Sequence, residues 1–386
     1  MMNFRKYALA CLSVLVFCSV NVAAEPIRIG TTQSLTGSYK EFGEEQLRGL
    51  LMWAHDINAR GSLLGRDVEI MHWDDHSDAK RSAWLYRDML ENGKVDLIIG
   101  PYSSDITLAA TEVAEQLNMP IITLAASAEK IWSRGYKNVF GIDTPAANYM
   151  DIAVSEAAAN GAKTASLIYS NTAFSLEVAA GVRREASRHG LKLVLDEEYD
   201  IAQTDFSQLA VKLRSIDADV VFGATYFEDA MTLAKAIGPA GLNSDMVALT
   251  VGPALAEFGT NLGAQRAEGI VGVVQWLRSV RLPMAQDFAY RYRQKYGYNP
   301  GVHAAIGYSG GQVIEAAVRL AGTTDPAAVR EQLASMEFTS LVGKYRVDGT
   351  GRQEGKKNYL LQWQDEKRRL VAPPNVAERK LTYPRR

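Results

Sequence analysis

Cysteine is missing from every position after residue 24. The two that the chain has, Cys11 and Cys18, stand among its first residues. Disulfides, thiolate nucleophiles and thiolate metal sites are therefore excluded from all that follows. A long apolar run is missing too. The stretch from Tyr7 to Val20 is shorter than the ~20 residues that a membrane span needs, and no later segment approaches that length. It follows Arg5-Lys6 and precedes Asn21-Val-Ala-Ala-Glu25, which is the order of a secretory signal peptide cut after Ala24. Phe17 before Cys18 and the early place of Cys11 give neither cysteine a lipobox, so no lipid anchor is expected.

Charge of one sign is also scarce. Without Arg5 and Lys6 the 42 basic residues become 40 against 44 acidic, a net charge of about −4. Basic residues gather only at Lys367-Arg-Arg369 and Arg385-Arg386, which argues against nucleic acid as a partner. No G-x-G-x-x-G, P-loop or H-E-x-x-H occurs, so nucleotide and zincin chemistry lack support and no cofactor is expected. About 360 residues without a disulfide need a large core, which two domains supply.

What is present is a regular order of elements. Ile27–Gly30 alternates as a strand, and Glu44 to Arg60 carries Leu47, Leu50, Leu51, Ala54 and Ile57 on one helical face. Strands Val68–Trp73, Val95–Ile99 and Ile121–Leu124 then alternate with helices Asp78–Glu91 and Ile106–Leu117. A second set runs from helix Pro145–Asn160 to strand Met246–Thr250, with Gly161, Gly190 and Gly241 closing helices. Both sets predict doubly wound parallel sheets. After strand Ile270–Trp276 come helices Met284–Tyr296, Ala304–Ala321 and Pro326–Ser335, then closing strands at Gly343–Val347 and Asn358–Trp363. Those helices need a sheet to pack on, so the chain is expected to cross back to the first domain near Trp276 and return near Gly343.

Two strand ends carry the functional signal: Asp96-Leu-Ile-Ile-Gly-Pro-Tyr-Ser-Ser104 and Pro120-Ile-Ile-Thr-Leu-Ala-Ala-Ser127. A strand running straight into a helix leaves the first helical N–H groups unpaired. Ser104 and Ser127 stand where hydroxyls can join such groups around one anion, in a crevice suited to a small carboxylate. Each serine could equally be a plain helix cap. Other patterns weigh less. Ser127-Ala-Glu-Lys130 with Tyr169-Ser-Asn171 imitates two elements of acyl-transfer enzymes, but the third, K-[ST]-G, is absent. His72-Trp-Asp-Asp-His76 reads as a strand end before a capped helix rather than a metal site.

The order and spacing of these pieces resemble the type I periplasmic solute-binding proteins, in particular the leucine/isoleucine/valine-binding family that serves ABC transporters. The likeness runs from Ile27 to about Trp363. It is densest in His55-Asp-Ile-Asn-Ala-Arg-Gly61, Leu64-Gly-Arg66, the two strand ends, and Ala305-Ile-Gly-Tyr-Ser-Gly-Gly-Gln312. The resemblance implies two Rossmann-like lobes on a three-crossing hinge, residues 25–143 with 277–342 and residues 144–276 with 343–386. It implies a periplasmic monomer that is not an enzyme, holds no metal, and hands a small solute (an amino acid, an amide or a small carboxylate) to an ABC permease. A sensory binder of the same fold without a permease is the alternative. Carried over by position, Ser104 and Ser127 would hold the solute carboxylate, with backbone groups of Ala125 and Ala126. Phe174 and Tyr226 would cover it from the second lobe, Phe42 and Tyr102 would line the first, and Trp276 would mark the second crossing. One departure matters: the loop Val251-Gly-Pro-Ala-Leu-Ala256 has no glutamate to meet a ligand ammonium. Either Asp229 or Glu228 reaches in, or the solute is not an α-amino acid.

Overall fold

The βα alternation expected after residue 26 forms in that order. The computed structural model describes residues 24–385, so the signal segment and its two cysteines lie outside the described residues. The first lobe begins β1 (Ile27–Gln33), α1 (Lys40–Ala59), β2 (Val68–Asp74), α2 (Ala79–Glu91), β3 (Leu97–Ile99), α3 (Ser104–Gln116) and β4 (Ile121–Thr123). A further strand, β5 (Val139–Gly141), was not expected; three residues are too few to show an alternation. These strands form one parallel sheet in the order β2-β1-β3-β4-β5.

The second lobe follows with α4 (Asp151–Ala159), β6 (Thr164–Ser170), α5 (Ala173–His189), β7 (Lys192–Tyr199), α6 (Ser207–Ile216) and β8 (Val220–Ala224). It continues through α7 (Phe227–Ala240), β9 (Met246–Leu249), α8 (Ala256–Leu262), α9 (Ala264–Ala267) and β10 (Val271–Val274). The expected helix from Pro145 is broken. Ala146–Asn148 makes a separate tight turn, and α4 starts only at Asp151.

The chain then returns to the first sheet with α10 (Ala285–Tyr296), α11 (Val302–Ala321) and α12 (Pro326–Ser335), followed by the ribbon β11 (Phe338–Ser340) and β12 (Gly343–Tyr345). It ends as β13 (Tyr359–Gln364) and β14 (Lys367–Ala372), antiparallel strands on the edge of the second sheet, whose order is β14-β13-β10-β9-β8-β6-β7. The β13–β14 turn was not foreseen. It uses Asp365 and Glu366 at φ 51° and 63°, so the left-handed signature of a two-residue hairpin is present without its usual glycine.

The third crossing also differs from expectation. Gly343–Tyr345 pairs with Phe338–Ser340, not with the second sheet, and Tyr345 donates its hydroxyl to the Leu333 carbonyl at 2.6 Å. The Gly141 N–H then binds the Gly351 carbonyl at 2.9 Å, and Arg352 pairs with Glu129. The chain therefore leaves the first sheet at Gly355–Asn358, not near Gly343. The glycines that read as a hairpin loop are the approach to that crossing.

In the first lobe α1 and α11 approach closely because small residues face each other. A Cβ on Gly49 would stand 1.9 Å from the Ala304 carbonyl oxygen, and one on Gly307 2.0 Å from that of Gln46. A Cβ on Gly311 would press 2.1 Å from the ring of Trp53, which is fully buried. Backbone atoms cannot swing aside as side chains do, so the helices would have to separate. Gly307→Ala is expected to cost about 2–3 kcal/mol of stability, read from the denaturation midpoint at unchanged slope. A midpoint equal to that of the parent would contradict this packing.

Candidate functional site

The first lobe presents the ends of β3 and β4, beside the point where strand order reverses between β1 and β3. That is where open α/β sheets hold ligands. Ser103, not Ser104, caps α3. Its backbone sits at φ 71° and its hydroxyl accepts the Ile106 N–H at 3.3 Å. The Ser104 hydroxyl is thereby released. It accepts the N–H groups of Ser127 and Ala128, each at 3.1 Å, and keeps its own proton to donate elsewhere. Ser127 donates its hydroxyl to Asp143 Oδ2 at 3.2 Å. The two serines therefore do not stand as equal arms of one clamp. Ser104 offers a donor, while Ser127 is held by a carboxylate.

Aromatic rings from both lobes close over these strand ends. In the first lobe Phe42 stacks on Tyr102 at 4.8 Å and 19°, and both rings pack against His303. In the second, Tyr149 meets Phe174 edge-on at 5.2 Å, and Phe174 meets Tyr226 at 5.6 Å. Tyr39 joins the sets, 5.5 Å from Tyr102 and 5.4 Å from Tyr226. The Ala173 N–H also reaches across to Asp105 Oδ1 at 3.4 Å. The lobes are thus shut on one another. The cavity between them is about 30 Å³, room for about two waters. Any larger solute must enter with the lobes apart.

Of the residues singled out in the sequence, Tyr102, Ser104, Ala125, Ser127, Phe174 and Tyr226 line this cavity. Phe42 stands one layer behind, under Tyr102. Ala126 is buried beside the wall rather than on it. Trp276 lies at the second crossing but turns its ring onto Phe288, 5.8 Å away at 77°, and does not face the cavity. Asp229 is spent locally. Its carboxylate accepts the N–H groups of Tyr226 and Ala230, at 2.7 and 3.0 Å, and the Tyr199 hydroxyl at 2.6 Å. Glu228 is exposed. The second lobe's wall is Tyr149, Phe174, Tyr226, Val251, Ala254, Val274 and Gln275, with no acid among the described residues.

Sequence reasoning missed the one acid that does line the cavity. Asp143 sits on the first crossing, just past β5, and is buried. Its Oδ1 accepts the Thr144 N–H at 3.1 Å and stands 3.7 Å from Lys356 Nζ. Lys356 comes from the third crossing, is equally buried, and donates to Gln275 Oε1 on the second. Burial pushes the Asp143 carboxyl up to about 6 against the opposing pull of Lys356, and burial pushes the Lys356 ammonium down to about 8. Gln275, His303 and Tyr149 were missed as well. A lysine among glycines and a glutamine one residue before Trp276 carry no chemical signature; only their nearness to the crossings could have marked them.

The chain matches the periplasmic binding protein family model over residues 26–368 and belongs to that family, whose members bind solutes and are not enzymes. It is 26% identical over 400 residues to a Leu/Ile/Val-binding protein homolog of Brucella suis, covering 98% of this chain and 100% of that one. An isoleucine-bound branched-chain amino acid transporter substrate-binding protein of Streptococcus pneumoniae has the same fold. Its TM-score is 0.82 and its identity 22%, over 90% of this chain and 100% of that one. So does a benzoate-bound solute-binding protein of an ABC transporter from R. palustris, with TM-score 0.80 and 20% identity over 94% and 97% of the two chains.

Between about pH 6 and 8 both Asp143 and Lys356 are charged; below that window Asp143 takes up a proton while Lys356 stays cationic. An anion in the cavity should then be held more tightly. Calorimetry with a small anion that occupies the cavity is expected to show affinity rising about fivefold from pH 7 to pH 5. Asp143→Asn removes the group that titrates there and should lose the step near pH 6. A flat profile in the parent protein would contradict this role of Asp143.

Proposed function

We propose that this protein is a periplasmic solute receptor that delivers its ligand to an ABC permease, and that the solute is a small carboxylate with an apolar body and no ammonium group. One observation carries the choice of solute. The second-lobe wall, which includes Phe174, Val251, Ala254 and Gln275, has no acid, and the single acid of the cavity among the described residues, Asp143, already faces Lys356. A ligand ammonium desolvated there would lack a free counter-charge, at a cost that grows with burial. The carboxylate itself has support from Ser104, whose hydroxyl proton is free, and from α3, whose dipole favours an anion at its start. The like-folded proteins that bind isoleucine and benzoate agree in one respect: both ligands carry a carboxylate. The rings of Tyr102, Tyr149, Phe174 and Tyr226 suit a flat or branched apolar body.

Recognition and delivery follow from the same hinge. A solute that touches Ser104 on one lobe and Phe174 on the other contacts both only when the lobes close, so it shifts the population toward closure by its differential affinity. Closure changes the outer face that a permease would read.

A thermal-shift screen over aromatic acids, aliphatic acids, amides and amino acids tests the solute class, because a ligand of the folded state alone raises the melting temperature. Small monocarboxylates should give the largest shifts. Ser104→Ala should weaken the best of them tenfold or more, as expected for losing a hydrogen bond to a charged group. Larger shifts from amides than from any acid, or full affinity in Ser104→Ala, would overturn the assignment.

A further inference from the structure

The three crossings between the lobes meet at one point behind the cavity wall. Asp143 lies on the first, Gln275 on the second and Lys356 on the third. Asp143 and Gln275 face the cavity, while Lys356 stands behind them with its side chain 3% exposed. Nothing else near Asp143 balances its charge as directly. Ser127 and Thr144 give it neutral donors, and the phenols of Tyr102 and Tyr149 are uncharged neighbours; His303 on α11 also lines the cavity and draws the Asp143 carboxyl down less than Lys356 does, with its Nδ1 3.5 Å from Glu45. Lys356 has in turn only Asp143 as an acidic partner within 4 Å among the described residues.

Charge accounting at this floor decides what a solute can bring. With Lys356 present the floor is a closed pair, neutral as a unit, and a solute carboxylate at Ser104 meets no net repulsion. With the lysine gone, Asp143 is a lone acid lining a desolvated cleft, the environment that a ligand ammonium needs and a ligand carboxylate avoids. We infer that Lys356 is the residue that fixes the charge class of the solute: it supplies from the protein the ammonium that an amino acid would otherwise bring, so the cleft selects acids lacking one. This rests on the proposed carboxylate-binding role, and it makes specificity hang on a crossing residue that touches no solute.

Matched ligands that differ only in the ammonium group test it: phenylalanine against 3-phenylpropanoate, and leucine against 4-methylpentanoate, measured by calorimetry at pH 7. The parent protein should prefer the deaminated member of each pair by about tenfold or more. Lys356→Met should move that ratio at least tenfold toward the amino acid. Asp143→Asn, which leaves the lysine alone, should move it the other way, and this opposite shift keeps the test decisive if one variant folds poorly. If the parent prefers the acids but neither variant moves the ratio, the role of Lys356 is wrong and the carboxylate reading stands. If the parent prefers the amino acids, both fall.

Discussion

The fold turns on a buried pair of opposite charges placed where the chain passes between its lobes. Asp143 and Lys356 are taken out of water at 4% and 3% side-chain exposure, and their separation of 3.7 Å is too long for an ideal ion pair. Such a pair contributes little net stability, because desolvation offsets most of the attraction. What it does fix is geometry. Neither group can leave without stranding the other, so three segments remote in sequence are held to one point.

The opposite end of the cleft is closed by a weaker and more reversible contact. Tyr39 touches both Tyr102 and Tyr226, and the phenols of Tyr102 and Tyr226 are kept neutral by burial. Aromatic contacts of this kind are worth about 0.5–1.5 kcal/mol each beyond their buried area.

How much of this was legible in the sequence depends on the range of the interactions. The two lobes, their parallel sheets and the return of α10–α12 followed from apolar periodicity, a local property. Ser104 and Ser127 could be placed because each follows an apolar strand directly. Tyr102, Ala125, Phe174 and Tyr226 came only from the resemblance to the solute-binding family, since nothing local marks a ring or a small residue as cavity lining. Gln275 and Lys356 could not be placed, and Asp143 could be read as the end of a domain segment but not as part of the cavity. Each lies in irregular backbone, and their meaning arises only when three crossings separated by more than 80 residues converge. Asp229 misled for a related reason: its position suggested reach into the cleft, but the start of α7 takes one of its oxygens and Tyr199 at the end of β7 takes the other. The direction of the Trp276 ring could not be read, since it is set by its packing partner Phe288.

A double-mutant cycle on Asp143 and Lys356, read as unfolding free energy of the ligand-free protein at pH 7, tests the central claim most directly. Asp143→Asn and Lys356→Met should each cost about 3–5 kcal/mol, because each strands a buried partner. The double variant should cost clearly less than the sum, with a coupling of at least about 1 kcal/mol. Additive losses would mean that the two groups do not act as a pair, and that the crossings are not tied where the structure joins them.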